Sequence, residues 1–199
     1  ISTSHAEFAF KELTVQDGLS HNTVYKIYQD SYGYMWFGTE DGLNRYNGVE
    51  FTIYRNQPGA KYTIHNNVIS DIMEDSRGNL WVSSGNLGLD VYEREKDRFI
   101  SHRQKLLDAG FGERTDIRVM HEDKDGMLWI GTAQGLVKFD LEQDTIERLP
   151  YNEMAYNDTI MPNPGIYTIL GDSLGRLWIG SYGGLSIYDK DKGLFRHFT

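Results

Sequence analysis

Asp30-Ser31-Tyr32-Gly33-Tyr34-Met35-Trp36-Phe37-Gly38-Thr39-Glu40-Asp41-Gly42-Leu43-Asn44-Arg45-Tyr46-Asn47 is the first of four versions of one pattern. The second runs from Asp75 through Gly78, Trp81 and Leu89 to Tyr92. The third holds Asp123, Gly126, Trp129-Ile130-Gly131-Thr132, Gly135-Leu136 and Phe139-Asp140. The fourth holds Asp172, Gly175, Trp178-Ile179-Gly180-Ser181, Gly184-Leu185 and Tyr188-Asp189. All four tryptophans of the chain belong to this pattern, at separations of 45, 48 and 49 residues. A period of about 40–50 residues, with strand and turn signals in every unit, marks propeller blades. The expected fold is therefore all-β: four four-stranded antiparallel blades at roughly 19–55, 64–102, 113–150 and 162–199, as part of a larger propeller.

Working outward from the turn, each unit repeats one plan. A first strand ends at the repeat Asp, as in Val24-Tyr25-Lys26-Ile27-Tyr28 and Ile69-Ser70-Asp71-Ile72-Met73. Asp-x-x-Gly then closes a hairpin, with Asp accepting a local backbone hydrogen bond and Gly taking the positive φ. The second strand carries Trp between apolar neighbours, as in Leu80-Trp81-Val82, so both of its faces are covered. Trp36, Trp81, Trp129 and Trp178 accordingly read as core between blades. A Gly-Leu turn leads to the third strand. The fourth, such as Ile146-Glu147-Arg148-Leu149, is polar enough for an outer edge. Residues 1–7 read as a disordered lead-in, 8–13 as an extra outer strand, and Arg103 to Asp108 as one helical turn. With an outer strand at each end, closure of four blades is unbalanced, and apolar end faces point to a homo-oligomer or to further blades.

Composition sets limits. The 199 residues carry a net charge of −9, which argues against a nucleic-acid or anionic-membrane surface. There is no cysteine, so disulfides, zinc thiolates and cysteine nucleophiles are excluded. No apolar run is long enough to span a bilayer. The chain opens Ile1-Ser2-Thr3 without a basic and apolar leader, as expected of a mature secreted protein or an excised domain. No nucleophile motif appears, and the six histidines are scattered across the units. Asp123-Lys124-Asp125-Gly126 starts like a calcium loop but lacks the later ligands. Neither a metal nor a cofactor is expected.

Leu19-Ser20-His21-Asn22-Thr23-Val24, followed by Asp30-x-x-Gly33-x-x-Trp36-Phe37-Gly38-Thr39 and Gly42-Leu43-Asn44-Arg45-Tyr46, resembles a two-component regulator propeller repeat. The third unit is the nearest match; the second departs most, with Ser83-Ser84 for Gly-Thr and a longer following turn. Such repeats build the periplasmic sensor region of hybrid two-component systems in Bacteroidetes. There, two propellers and an immunoglobulin-like domain precede the membrane, kinase and regulator parts. The resemblance implies a non-catalytic periplasmic sensing domain that binds a glycan-derived oligosaccharide and governs transcription. It reaches the membrane only through other parts of its receptor. A propeller glycan lyase or hydrolase and a structural dimerisation module are the alternatives.

Ligand contacts are expected where the repeats disagree with one another. Five positions before the repeat Asp stand Tyr25, Ser70, Arg118 and Tyr167; nine before it stand His21, Asn66, Arg114 and Asn163. The turns after the second strand add Glu40, Asn86, Gln134 and Tyr182. Tyr25, His65, Asn66, Asn86, Arg114, Arg118, Tyr167 and Tyr182 are the resulting ligand-binding candidates. Tyr rings cover the apolar side of a pyranose, Asn and Arg bond hydroxyls directionally, and Arg pairs with a uronate or sulfate. Any one of them alone is also an ordinary solvated loop residue.

Overall fold

The computed structural model describes residues 11–151 and 164–198. It holds four antiparallel sheets, each a simple meander. Blade 1 is β1 (Val24–Gln29), β2 (Met35–Thr39), β3 (Gly42–Tyr46) and β4 (Phe51–Tyr54). Blade 2 is β5 (Ile69–Glu74), β6 (Leu80–Ser84), β7 (Gly88–Glu93) and β8 (Arg98–Ser101). Blade 3 is β9 (Ile117–Glu122), β10 (Met127–Thr132), β11 (Gly135–Asp140) and β12 (Thr145–Arg148). Blade 4 is β13 (Ile166–Gly171), β14 (Leu177–Ser181), β15 (Gly184–Asp189) and β16 (Leu194–Phe198). The chain is an all-β propeller assembly. The helical turn is α1 (Arg103–Asp108), whose Leu106 is buried beneath the second seam. The expected strand at 8–13 lies largely outside the described residues, and 11–13 hold no strand; Thr14 instead caps a short 3₁₀ turn. The expected lead-in at 1–7 also lies outside them.

The core is three seams rather than one centre. Trp36 and Leu43 of blade 1 pack on Ile69, Ile72, Leu80, Val82, Tyr92 and Phe99 of blade 2. Trp81 packs on blade 3, and Trp129 on blade 4, through equivalent residues. The apolar pattern on both faces of the second strands follows from this: Leu80, Trp81 and Val82 are all buried between two neighbours. In blade 4 the pattern is half satisfied, with Leu177 and Ile179 buried and Trp178 partly open. Gly131 is required by this packing, since a Cβ there would lie 2.6 Å from Ile166 Cγ2 and 2.7 Å from Val119 Cγ1.

The repeat Asp does more than close its turn. In all four blades one carboxylate oxygen accepts two backbone N–H groups of the turn, while the other accepts the indole N–H of the repeat Trp. The indole bonds are Trp36 to Asp30 (2.8 Å), Trp81 to Asp75 (2.8 Å), Trp129 to Asp123 (2.7 Å) and Trp178 to Asp172 (2.9 Å). The next blade often adds a cation: Arg94 reaches Asp30 at 2.7 Å, and Lys190 reaches Asp123 at 2.5 Å. A second link crosses two of the seams. The Ser31 N–H and hydroxyl both donate to Glu74 at 2.7 Å, and those of Ser76 donate to Glu122 at 2.6 and 2.8 Å.

The departures of the second unit have visible consequences. Ser83, where other blades have Gly, is fully buried and its hydroxyl bonds that of Ser70 at 3.0 Å. The longer turn after β6 places Asn86 (φ 60) and Leu87 (φ 62) consecutively in the left-handed region, a conformation most side chains avoid.

Candidate functional site: the inner mouth

In every blade the pairing of the first and second strands slips by one residue near the start of the first strand. The unpaired residue is Tyr25 in blade 1, Ser70 in blade 2, Arg118 in blade 3 and Tyr167 in blade 4. Such a bulge re-aims its side chain out of the sheet's alternation. All four side chains thereby converge on one cavity of about 430 Å³, which Val68, Gly85, Asp116 and Ile117 complete.

The cavity is amphipathic. Tyr25 and Tyr167 are 53% and 54% exposed, leaving ring faces available to a ligand. The Arg118 guanidinium lies 4.4 Å from the centre of the Tyr167 ring, a cation–π contact. No carboxylate within 4.0 Å pairs with it among the described residues. Below, Lys26 is ion-paired to the buried Asp71 at 2.6 Å, and Asp71 also accepts the Met120 N–H at 2.7 Å. This ties blades 1, 2 and 3 together beneath the mouth.

Of the eight candidates, Tyr25, Arg118 and Tyr167 meet here. Asn66 serves the backbone, its side chain accepting the Val68 N–H at 2.9 Å beside Gly85. Asn86 is exposed and stands outside the cavity lining, its main-chain carbonyl accepting from Arg103 Nε at 3.1 Å. Arg114 and Tyr182 are exposed and stand outside the cavity lining. Asn163 lies outside the described residues. Val68 and Asp116 also line the cavity, each standing immediately before the first strand of its blade and two positions ahead of the bulge.

His65 sits elsewhere, in an outer groove of about 390 Å³ with Asp90 and Ser101. Asp90 is fully buried, and burial pushes its carboxyl up to about 6, against the His65 N–H and the Ser101 hydroxyl that favour the charged form. Its folded pKa lies above the unfolded value of 3.8. The stability tied to its protonation is thus present at low pH and is lost as pH rises from about 4 to about 6. Asp90→Asn should abolish that component, on the order of 3 kcal/mol. Urea midpoints of both proteins across this range check it; parallel curves would refute it.

A family model described as two component regulator propeller matches residues 18–41, 63–86, 113–134 and 160–183. The four repeats belong to the two component regulator propeller family. A stretch of 58 residues is 47% identical to Histidine kinase P4 of Formosa agariphila, covering 29% of this chain and 4% of that one. The extracellular domain of BT4673 from B. thetaiotaomicron superposes with a TM-score of 0.70 at 20% identity, over 86% of this chain and 22% of that one. That of BT3049 from the same organism gives 0.55 at 20% identity, over 94% and 31%. The chain thus spans less than a third of each of these relatives. Each regulator propeller match runs from before the first strand to the turn after the second. The cavity-lining residues of all four repeats fall inside these spans. The strands that carry the repeat signature therefore also carry the cavity. Among the described residues no helix is long and apolar enough to cross a membrane.

Proposed function

We propose that this chain is part of the extracytoplasmic, ligand-sensing region of a hybrid two-component receptor. It lies in the periplasm and binds a glycan-derived oligosaccharide at the inner mouth. The observation that carries this reading is the convergence of four bulged residues, one from each blade, on a single amphipathic cavity. Two open tyrosine rings suit the apolar face of a pyranose, and a flat, unpaired guanidinium suits a hydroxyl pair or an acidic substituent. The chain itself senses rather than catalyses; kinase activity, membrane attachment and control of transcription belong to other parts of the receptor.

Calorimetric titration with a panel of neutral and acidic oligosaccharides tests this. Arg118→Ala should weaken binding of any oligosaccharide found by about tenfold or more, the usual loss for a charged hydrogen bond. Absence of binding across the panel, or an unaffected Arg118→Ala, would overturn the assignment. Hydrolysis or elimination of a panel member would establish the enzyme reading instead.

The open faces of the end blades support a second reading, self-association. In blade 1, Ile27 is 57% exposed, whereas its counterparts Ile72, Met120 and Ile169 are buried. Light scattering decides between a monomer and an assembly. A head-to-tail contact between copies would lack two of the seam's links, since Gln29 stands where Glu74 and Glu122 stand, and Gly48 where Arg94 and Lys190 stand.

A further inference from the structure

The third seam lacks a group that the first two possess. Where Glu74 and Glu122 stand immediately before their repeat Asp, blade 4 has Gly171. Where Ser31 and Ser76 receive those carboxylates, blade 3 has Lys124. In the first two seams the carboxylate accepts a main-chain N–H at 2.7 and 2.6 Å. The equivalent Lys124 N–H has no hydrogen-bond partner among the described residues. A cavity of about 160 Å³ occupies the place, lined by His121, Lys124, Gly171 and Gly175 together with three acids.

The acids are all engaged. Glu122 is held by Ser76, Asp123 by Trp129 and Lys190, and Asp172 by Trp178 and Arg176. The Lys124 ammonium has no carboxylate within 4.0 Å among the described residues. His121 Nε2 is buried and has no hydrogen-bond partner among the described residues. Both glycines are needed to admit these groups. A Cβ on Gly171 would lie 2.8 Å from His121 Nε2, and one on Gly175 would lie 2.7 Å from Lys124 Nζ. The Lys124 N–H and ammonium, with His121 Nε2 as a third donor in its Nε2–H tautomer, therefore surround a space that a carboxylate fills twice elsewhere in the same molecule.

We infer that the seam between blades 3 and 4 binds a small free carboxylate in place of the missing glutamate, held by the Lys124 N–H and ammonium and by His121 Nε2. The site lies at the Asp-x-x-Gly end of the strands, away from the mouth, and is independent of the ligand proposed there. A bound carboxylate would bridge two blades by hydrogen bonds, as the tethered carboxylates of Glu74 and Glu122 do.

The test titrates the full chain with sodium acetate against sodium chloride at equal ionic strength, following backbone amides by ¹⁵N–¹H NMR. The Lys124 amide should shift saturably, while the Ser31 and Ser76 amides, already occupied, should not. Lys124→Gln should weaken the response at least fivefold. Gly171→Glu, which requires the His121 ring to shift from the new Cβ, should supply the carboxylate internally and remove the acetate response. A Lys124 shift no larger than that of Ser31, or an acetate affinity unchanged in Lys124→Gln, would overturn the inference. The second of these holds even if Gly171→Glu does not fold.

Discussion

Asp30→Ala is expected to destabilise the chain by about 4 kcal/mol, the range found when one partner of a buried ion pair is removed. The side chain of Asp30 is wholly buried and holds four donors: the Tyr32 and Tyr34 N–H groups, the Trp36 indole and Arg94. Its loss strands the indole and leaves Arg94, itself only 19% exposed, with Glu74 alone. Burial works against the Asp30 charge, but the indole, Arg94 and backbone donors outweigh it and hold the carboxyl below its ordinary range. Its folded pKa is thus depressed, so its contribution is present above the unfolded pKa and is lost as pH falls through the folded one. The Asp30→Ala deficit should therefore be full at neutral pH and shrink in acid. Denaturant unfolding at pH 7 and pH 3 measures both. Asp172→Ala, at an equivalent turn that faces no following blade among the described residues, should cost clearly less; equal losses would mean the turn matters and the seam does not.

Trp129→Ala should cost about 3–5 kcal/mol, as large-to-small changes of buried aromatics do. Trp129 is 1% exposed and packs edge-on to Tyr188 of blade 4, with ring centroids 5.7 Å apart. The deletion empties the third seam and also leaves Asp123 without its indole donor. Trp129→Phe separates the two effects by restoring ring volume without the N–H. If chemical denaturation finds Trp129→Ala within 1 kcal/mol of the parent chain, the seam is not the principal core.

How far these features were legible follows from their range along the chain. Asp123, Gly126 and Trp129 lie within one hairpin, and their spacing repeats four times, so blades, turns and the buried role of the tryptophans could be read directly. The placement of Trp129 against blade 4 follows from the apolar pattern on both faces of β10. The cations were not legible: Arg94 and Lys190 are ordinary charges in sequence, and only the stacking of blades brings them to Asp30 and Asp123. The mouth was legible in part. Tyr25, Arg118 and Tyr167 stood out because the repeats disagree there. Asn66 and Arg114 also stood out by that logic, yet the first serves its own backbone and the second faces solvent. What separates the groups is a bulge, a property of pairing between strands that no single segment reveals. His65 meets Asp90 because its main-chain N–H, in the connection before β5, donates to a carboxylate of β7, a pairing that spacing alone does not encode.

The serine and glutamate links have a consequence for how such a chain can grow by duplication. Blade 2 carries both halves of the link, Glu74 facing backward and Ser76 facing forward, whereas blade 1 has only Ser31 and blade 3 only Glu122. A copied second blade inserted beside its parent would bring both halves with it, and every new junction would find its complement. A copied fourth blade would not, because Ser173 would meet Gly171. Blade 2 is thus the one unit of the four whose duplication would reproduce the serine and glutamate link at every new junction.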